Sequence, residues 1–133
     1  MDWTALILAL MMIESGGRIN AVGDNGKAIG VLQIRQECLT DYNRIMGQTL
    51  TLEDVKNPRI AVAVCRTYLI HYGKKLEKRE GRKPTYQDYA RMWNGGPLGY
   101  KKEPTEKYWE KVSPHLTHKV KRNIYIKVVN GGY

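Results

Sequence analysis

The run from Trp3 to Ile13 constrains the fold most: eleven residues with Thr4 alone polar, closed by Glu14-Ser15-Gly16-Gly17. Ile7 and Leu10 precede Glu14 by seven and four residues, so the three share one helical face, and Trp3 extends the stripe. A buried helix is expected from about Trp3 to Ser15, with glycine supplying the left-handed C-cap. Glu14 then starts beside hydrocarbon at the negative end of a helix. Desolvation and the dipole both favour its protonated form. A carboxylic acid that keeps its proton near neutral pH can give it to a leaving group. Taken alone, such a Glu is more often a side chain reaching out of a core helix. Glycines then punctuate a loop holding Asp24 (Gly23-Asp24-Asn25-Gly26) and lead to Gly30-Val31-Leu32-Gln33-Ile34. That density suits tight turns or close ligand approach, and equally an ordinary surface loop.

The rest reads as mainly helical, in one domain of 133 residues. A second helix is expected over roughly Glu37 to Met46, before Gly47. Thr51 to Asp54 has the form of a capping box. Asn57-Pro58 opens a helix running to about Glu80. Its residues Ile60, Ala61, Val64, Cys65, Tyr68, Leu69 and Tyr72 make a broad apolar face, which predicts the central buried helix. Thr85, with Asp88 three residues on, caps a helix ending at Asn94-Gly95-Gly96-Pro97. A short helix follows over Thr105 to Val112. Asn123 to Val129 is β-prone and predicts a short strand or an extended tail.

The net charge of +9 is uneven: residues 1–60 hold 6 basic and 7 acidic groups, residues 61–133 hold 16 and 6. A basic C-terminal half attracts polyanions, nucleic acid or an anionic bacterial envelope, or simply keeps the chain soluble. No basic-aromatic reading face lies along the helices, so nucleic acid is not the expected partner. Cys38 and Cys65 each fall in a helical pattern and predict free thiols. A Cys38–His71 nucleophilic pair has nothing in the sequence to bring it together. His115 and His118 lack a third ligand at suitable spacing, so no metal or other cofactor is expected. Ala5 to Ile13 is too short to span a bilayer and lacks a basic leader, so neither a membrane anchor nor a signal peptide is expected. A monomer is the expected state.

Three segments set polar groups beside glycines: Glu14-Ser15-Gly16-Gly17, Gly30 to Gln33, and Trp93-Asn94-Gly95-Gly96. Brought together they would form a cleft. Nine Tyr and three Trp, with no Phe, suit sugar rings, which have apolar faces and hydroxyl rims. Most of these aromatics will be core residues; Trp93, beside Asn94 and Gly95, is the best placed for a cleft.

These residues, with Ala21-Val22, Gly26 and Ala28, resemble in order the lysozyme-like catalytic domain of soluble lytic transglycosylases and goose-type lysozymes. The resemblance covers about Trp3 to Val112; residues 113–133 form an unmatched basic tail. It implies a mainly α, lysozyme-like member of the α+β lysozyme superfamily, with helices around a central buried helix and a substrate cleft. It implies a peptidoglycan-degrading glycosidase that cleaves the β-1,4 bond between N-acetylmuramic acid and N-acetylglucosamine. Glu14 matches the single catalytic acid. Gln33 and Asn94 match groups lining the sugar subsites, with Ser15, Trp93 and Gly95 beside them. Tyr108 matches the tyrosine that holds the catalytic carboxyl. Trp93 stands where Tyr is usual, and Val31-Leu32 replaces Leu-Met.

Two outcomes follow protonation of the glycosidic oxygen. A lytic transglycosylase needs one carboxylate and leaves 1,6-anhydro-muramic ends. An inverting lysozyme needs a second carboxylate to activate water, about 6.5–9.5 Å from the first. Asp24 resembles the proposed water-activating Asp of goose-type lysozymes, although a further Asp of that group is Arg35 here, and Asp-Asn-Gly is also a plain turn sequence. Hydrolysis is placed slightly ahead on the strength of Asp24. Small size suits a phage endolysin or a secretion-machine muralytic enzyme, bacteriolytic in either case. The alternative from another class is a non-enzymatic basic module that binds glycan or nucleic acid.

Overall fold

The computed structural model describes residues 1–116. The expected Asn123–Val129 strand and His118 lie outside them. Five helices are present among the described residues: α1 (Trp3–Ser15), α2 (Gln36–Met46), α3 (Pro58–Glu80), α4 (Tyr86–Gly95) and α5 (Thr105–Val112). Short 3-10 turns lie at Asp24–Gly26, Asp54–Lys56, Gly99–Lys101 and Ser113–His115.

The helix ends form where side chains can satisfy orphan backbone groups. Asp2 Oδ1 accepts from Ala5 N at the start of α1 (3.0 Å). Asn57 Oδ1 accepts from Arg59 N at the start of α3 (2.9 Å), with Pro58 in the first turn. Thr85 and Asp88 form a reciprocal capping box at α4. The Thr51–Asp54 pattern instead serves the 3-10 turn at Asp54–Lys56. Asp54 Oδ2 accepts from Thr51 N (2.7 Å) and Thr51 Oγ1 (3.1 Å), but no α-helix follows until Pro58.

A buried helix does lie at the centre, but it is α1 rather than α3. Leu6 through Met11 are all buried, at 2 % exposure or less. Six consecutive buried positions cover every face of a helix, and α1 meets α3, α4, α5 and the Ser113–His115 turn. Each large apolar side chain buried there contributes about 1.5–3 kcal/mol. α3 buries one stripe only (Ala61, Val64, Cys65, Tyr68, Leu69, Gly73 and Leu76), while Lys74, Lys75 and Lys78 are exposed. The apolar face of α3 is genuine; its lysines keep the other face in water.

The glycine-rich stretch after α1 holds a structure that its sequence does not announce. Val22–Gly23 (β1) pairs antiparallel with Ala28–Ile29 (β2), in the register Val22↔Ile29 and Gly23↔Ala28. Ile29 then bridges to Ile34, which folds the chain back toward α2. Two-residue strands carry too little alternation to register as a pattern.

α5 is set against α4 by a compact knot. Arg91 Nε donates to Thr105 Oγ1 (2.8 Å) and Arg91 Nη2 to the Lys102 carbonyl (2.8 Å). The buried Thr105 hydroxyl also lies 2.7 Å from the Gly99 carbonyl. Gly99 itself presses on α4: a Cβ there would sit 2.1 Å from the Arg91 carbonyl oxygen and 2.9 Å from its carbon. Backbone cannot swing aside, so Gly99→Ala is expected to cost about 2–3 kcal/mol. Urea unfolding measures it, and a loss below about 0.5 kcal/mol, the range of ordinary surface changes, would contradict this close approach.

Candidate active site

The last turn of α1, the β1–β2 turn, the start of α2 and the end of α4 enclose one cleft of about 280 Å³. Its lining is Glu14, Asp24, Ala28, Gln33, Ile34, Arg35, Cys38, Tyr68, Trp93 and Asn94. The three glycine-flanked segments of the sequence do meet. A broader groove continues from it along α2, past Gln36, Thr40 and Arg44, to Gly96 and Pro97.

Glu14 is half-buried at the end of α1. Burial raises its pKa above the usual 4.5, and the Tyr108 hydrogen bond and the Arg35 charge pull back against that without cancelling it. Tyr108, on α5, donates its hydroxyl to Glu14 Oε2 at 2.6 Å, across 94 residues of chain. Burial, then the charge of Glu14, pushes the Tyr108 phenol well above its normal range, so it remains a neutral donor. A carboxyl whose protonated form is favoured by burial, oriented by a hydrogen-bond donor, is the equipment of a general acid.

Ser15, expected among the substrate-binding residues, lies behind the cleft wall. Only 3 % exposed, it does not line the cleft. Its Oγ lies 2.7 Å from the Val31 carbonyl and accepts from Gly17 N (3.2 Å). It ties the end of α1 to the segment that presents Gln33, because a buried hydroxyl must find partners inside the protein. Gly95 is likewise a packing residue. A Cβ would meet Thr105 Cγ2 at 2.5 Å, and its carbonyl accepts from Lys102 Nζ (2.8 Å). Tyr108 stands behind Glu14 rather than in the lining.

Gln33, Trp93 and Asn94 line the cleft. Gln33 has φ +52°, a conformation that costs about 1 kcal/mol or more for a non-glycine residue. Its Nε2 donates to the Gly30 carbonyl (2.9 Å) and the Ala21 carbonyl (3.3 Å). Gly23 makes room for that amide, since a Cβ there would lie 2.3 Å from Gln33 Oε1. Trp93 stands edge-on to Tyr68, with centroids 5.8 Å apart, and the two form an aromatic wall.

Asp24 faces the cleft from the β1–β2 turn and is ion-paired with Arg35. Arg35, Cys38 and Tyr68 are cleft residues that the sequence did not single out as such. Tyr68 reads there as one of a core stripe, and Arg35 as a departure from a pattern. Only the packing of α2 on α3 brings them to Glu14. The Cys38 thiol is pushed up to about 12, by burial first and then by Asp41 and Glu37. That opposes a nucleophilic role, which needs the thiolate. Cys38 and Cys65 are both free.

The family model of the transglycosylase SLT domain matches residues 1–111. The chain belongs to this family. No curated protein matches it. Members of the SLT family are muralytic enzymes, so this SLT domain is a peptidoglycan-cleaving enzyme of lytic-transglycosylase or lysozyme type that acts on the cell wall. The mainly helical fold with its small two-stranded sheet is the lysozyme-like one. No helix among the described residues is long and apolar enough to cross a membrane.

Proposed function

We propose that this SLT domain is a lytic transglycosylase that cuts between N-acetylmuramic acid and N-acetylglucosamine, with Glu14 acting first as acid and then as base. One observation carries the choice. Of the two carboxylates in the cleft, Glu14 is held by a neutral tyrosine with its pKa raised, while Asp24 is engaged by the Arg35 guanidinium. This supports a one-carboxylate mechanism and reverses the order in which the sequence ranks the two outcomes.

Glu14 gives its proton to the glycosidic oxygen as the bond to the muramic C1 breaks. The departing sugar leaves with a hydroxyl, and an oxocarbenium-like centre remains. The muramic 6-hydroxyl attacks C1 from within the same ring, and the Glu14 carboxylate takes the hydroxyl proton. The acid is thereby reset without water being consumed. Tyr108 serves both halves, because its hydroxyl stabilises the carboxylate formed in the first. Gln33 and Asn94 supply hydrogen bonds to sugar hydroxyls and N-acetyl groups. Trp93 offers an apolar face to a ring. The groove past Arg44 receives further sugars of the strand, and the basic half, with Lys74, Lys75 and Lys78 exposed on α3, holds the enzyme to the anionic wall.

Mass spectrometry of sugars released from purified peptidoglycan tests the reading. Anhydro-muramic ends, one water lighter than reducing ends, are expected. Predominantly reducing muramic ends would make the protein a lysozyme and return Asp24 to the role of water activator.

A further inference from the structure

We propose that Arg35 selects the product: by holding Asp24 it keeps the second carboxylate of the cleft from activating water, and so suppresses a latent hydrolase activity. The inference rests on the transglycosylase reading above and adds what enforces it.

Asp24 and Arg35 line the same cleft as Glu14, so the cleft holds a second carboxylate beside the acid. Their side chains are 44 % and 50 % exposed, and water therefore reaches them. Asp24 and Asn25 both have left-handed backbone, with φ +50° and +55°. Holding two successive non-glycine residues there costs about 1 kcal/mol or more each. Arg35 comes from a different segment, immediately before α2, so the ion pair joins the β1–β2 turn to the helix opposite. The Arg35 guanidinium sits on Asp24 Oδ2, and its charge lowers the basicity of the carboxylate toward a water proton. Arg35 also lies near enough to Glu14 for its charge to be felt there. One cation thus attends both carboxylates, bonded to one and near the other.

Releasing Asp24 opens a balanced alternative. Glu14 protonates the leaving oxygen and the C1–O bond breaks. Asp24 takes a proton from water as the water oxygen bonds to C1. The product is a reducing muramic end, one water heavier than the anhydro end. General-base assistance speeds such a step by about 10²–10⁴-fold, so released Asp24 would compete with the intramolecular hydroxyl.

The experiment compares wild type, Arg35→Gln and Arg35→Gln with Asp24→Asn on purified peptidoglycan, reading the ratio of reducing to anhydro ends. Arg35→Gln is expected to raise that ratio about two- to fivefold, and the second substitution to reverse the rise. The pair is half exposed, so salt screens it. Raising ionic strength from about 0.05 to 1 M should therefore move the wild-type ratio the same way without any substitution. An unmoved ratio in Arg35→Gln, a rise that survives loss of Asp24, or loss of both products with an unchanged melting temperature would each overturn the proposal. Should Arg35→Gln fail to fold, an unmoved salt series overturns it instead. Reducing ends from wild type at low salt would overturn the transglycosylase reading; anhydro ends from wild type with no shift in the variant would overturn this inference alone.

Discussion

Glu14→Gln is expected to lower peptidoglycan cleavage by about 10³-fold or more, since it removes the proton donor and leaves its surroundings in place. The same substitution is expected to stabilise the protein at neutral pH. Burial raises the folded-state pKa of Glu14 above 4.5, so the charged form is disfavoured by folding. Below 4.5 both states carry the proton and the Glu and Gln proteins should melt alike. As pH rises from there toward the raised folded value, the unfolded chain releases its proton while the folded one retains it, and the Glu protein loses stability. Melting temperatures at about pH 4 and pH 8 measure this: the advantage of Gln should be absent at the first and present at the second. An inactive Gln variant with the same melting behaviour as wild type at both values would show that the carboxyl is not strained by burial. An active one would remove Glu14 from the chemistry.

Tyr108→Phe carries the next largest effect. It deletes one hydroxyl, keeps the buried ring, and takes away the 2.6 Å hydrogen bond to Glu14 Oε2. A hydrogen bond to a charged group contributes about 1.5–3 kcal/mol, which sets a loss of about 10- to 100-fold in kcat. The pH profile separates this from simple loosening of the fold. The tyrosine lowers the pKa of Glu14, so without it the pKa rises further and the alkaline limb of activity, where the acid loses its proton, moves to higher pH. A limb that stays put, with kcat near wild type, would mean that Tyr108 does not govern the carboxyl.

Most elements of this chain are written locally. The apolar run Trp3–Ile13, the Asn57-Pro58 start, the Thr85/Asp88 capping box and the glycines beyond Glu14 and Asn94 fix where helices begin and end. Each depends on residues within about one helical turn of the boundary, which a sequence displays directly. Glu14 was legible for the same reason: an acid at the end of an apolar helix is conspicuous wherever that helix packs. Gln33, Trp93 and Asn94 could be proposed because glycines mark the turns that carry them.

What the chain does with those parts was decided by tertiary packing. α1 rather than α3 became the core because its polar-free stretch can be covered on every side, whereas the lysines of α3 must keep one face in water. Ser15 went inward because the end of α1 meets the Val31 carbonyl, a partner sixteen residues away. The state of each carboxylate in the cleft is likewise non-local, for electrostatics depends on distance in space and on burial. Sequence determined that Glu14 and Asp24 would both be present. Folding alone buried Glu14, which raises its pKa, oriented it with a tyrosine from α5, and gave Asp24 an arginine from the edge of α2.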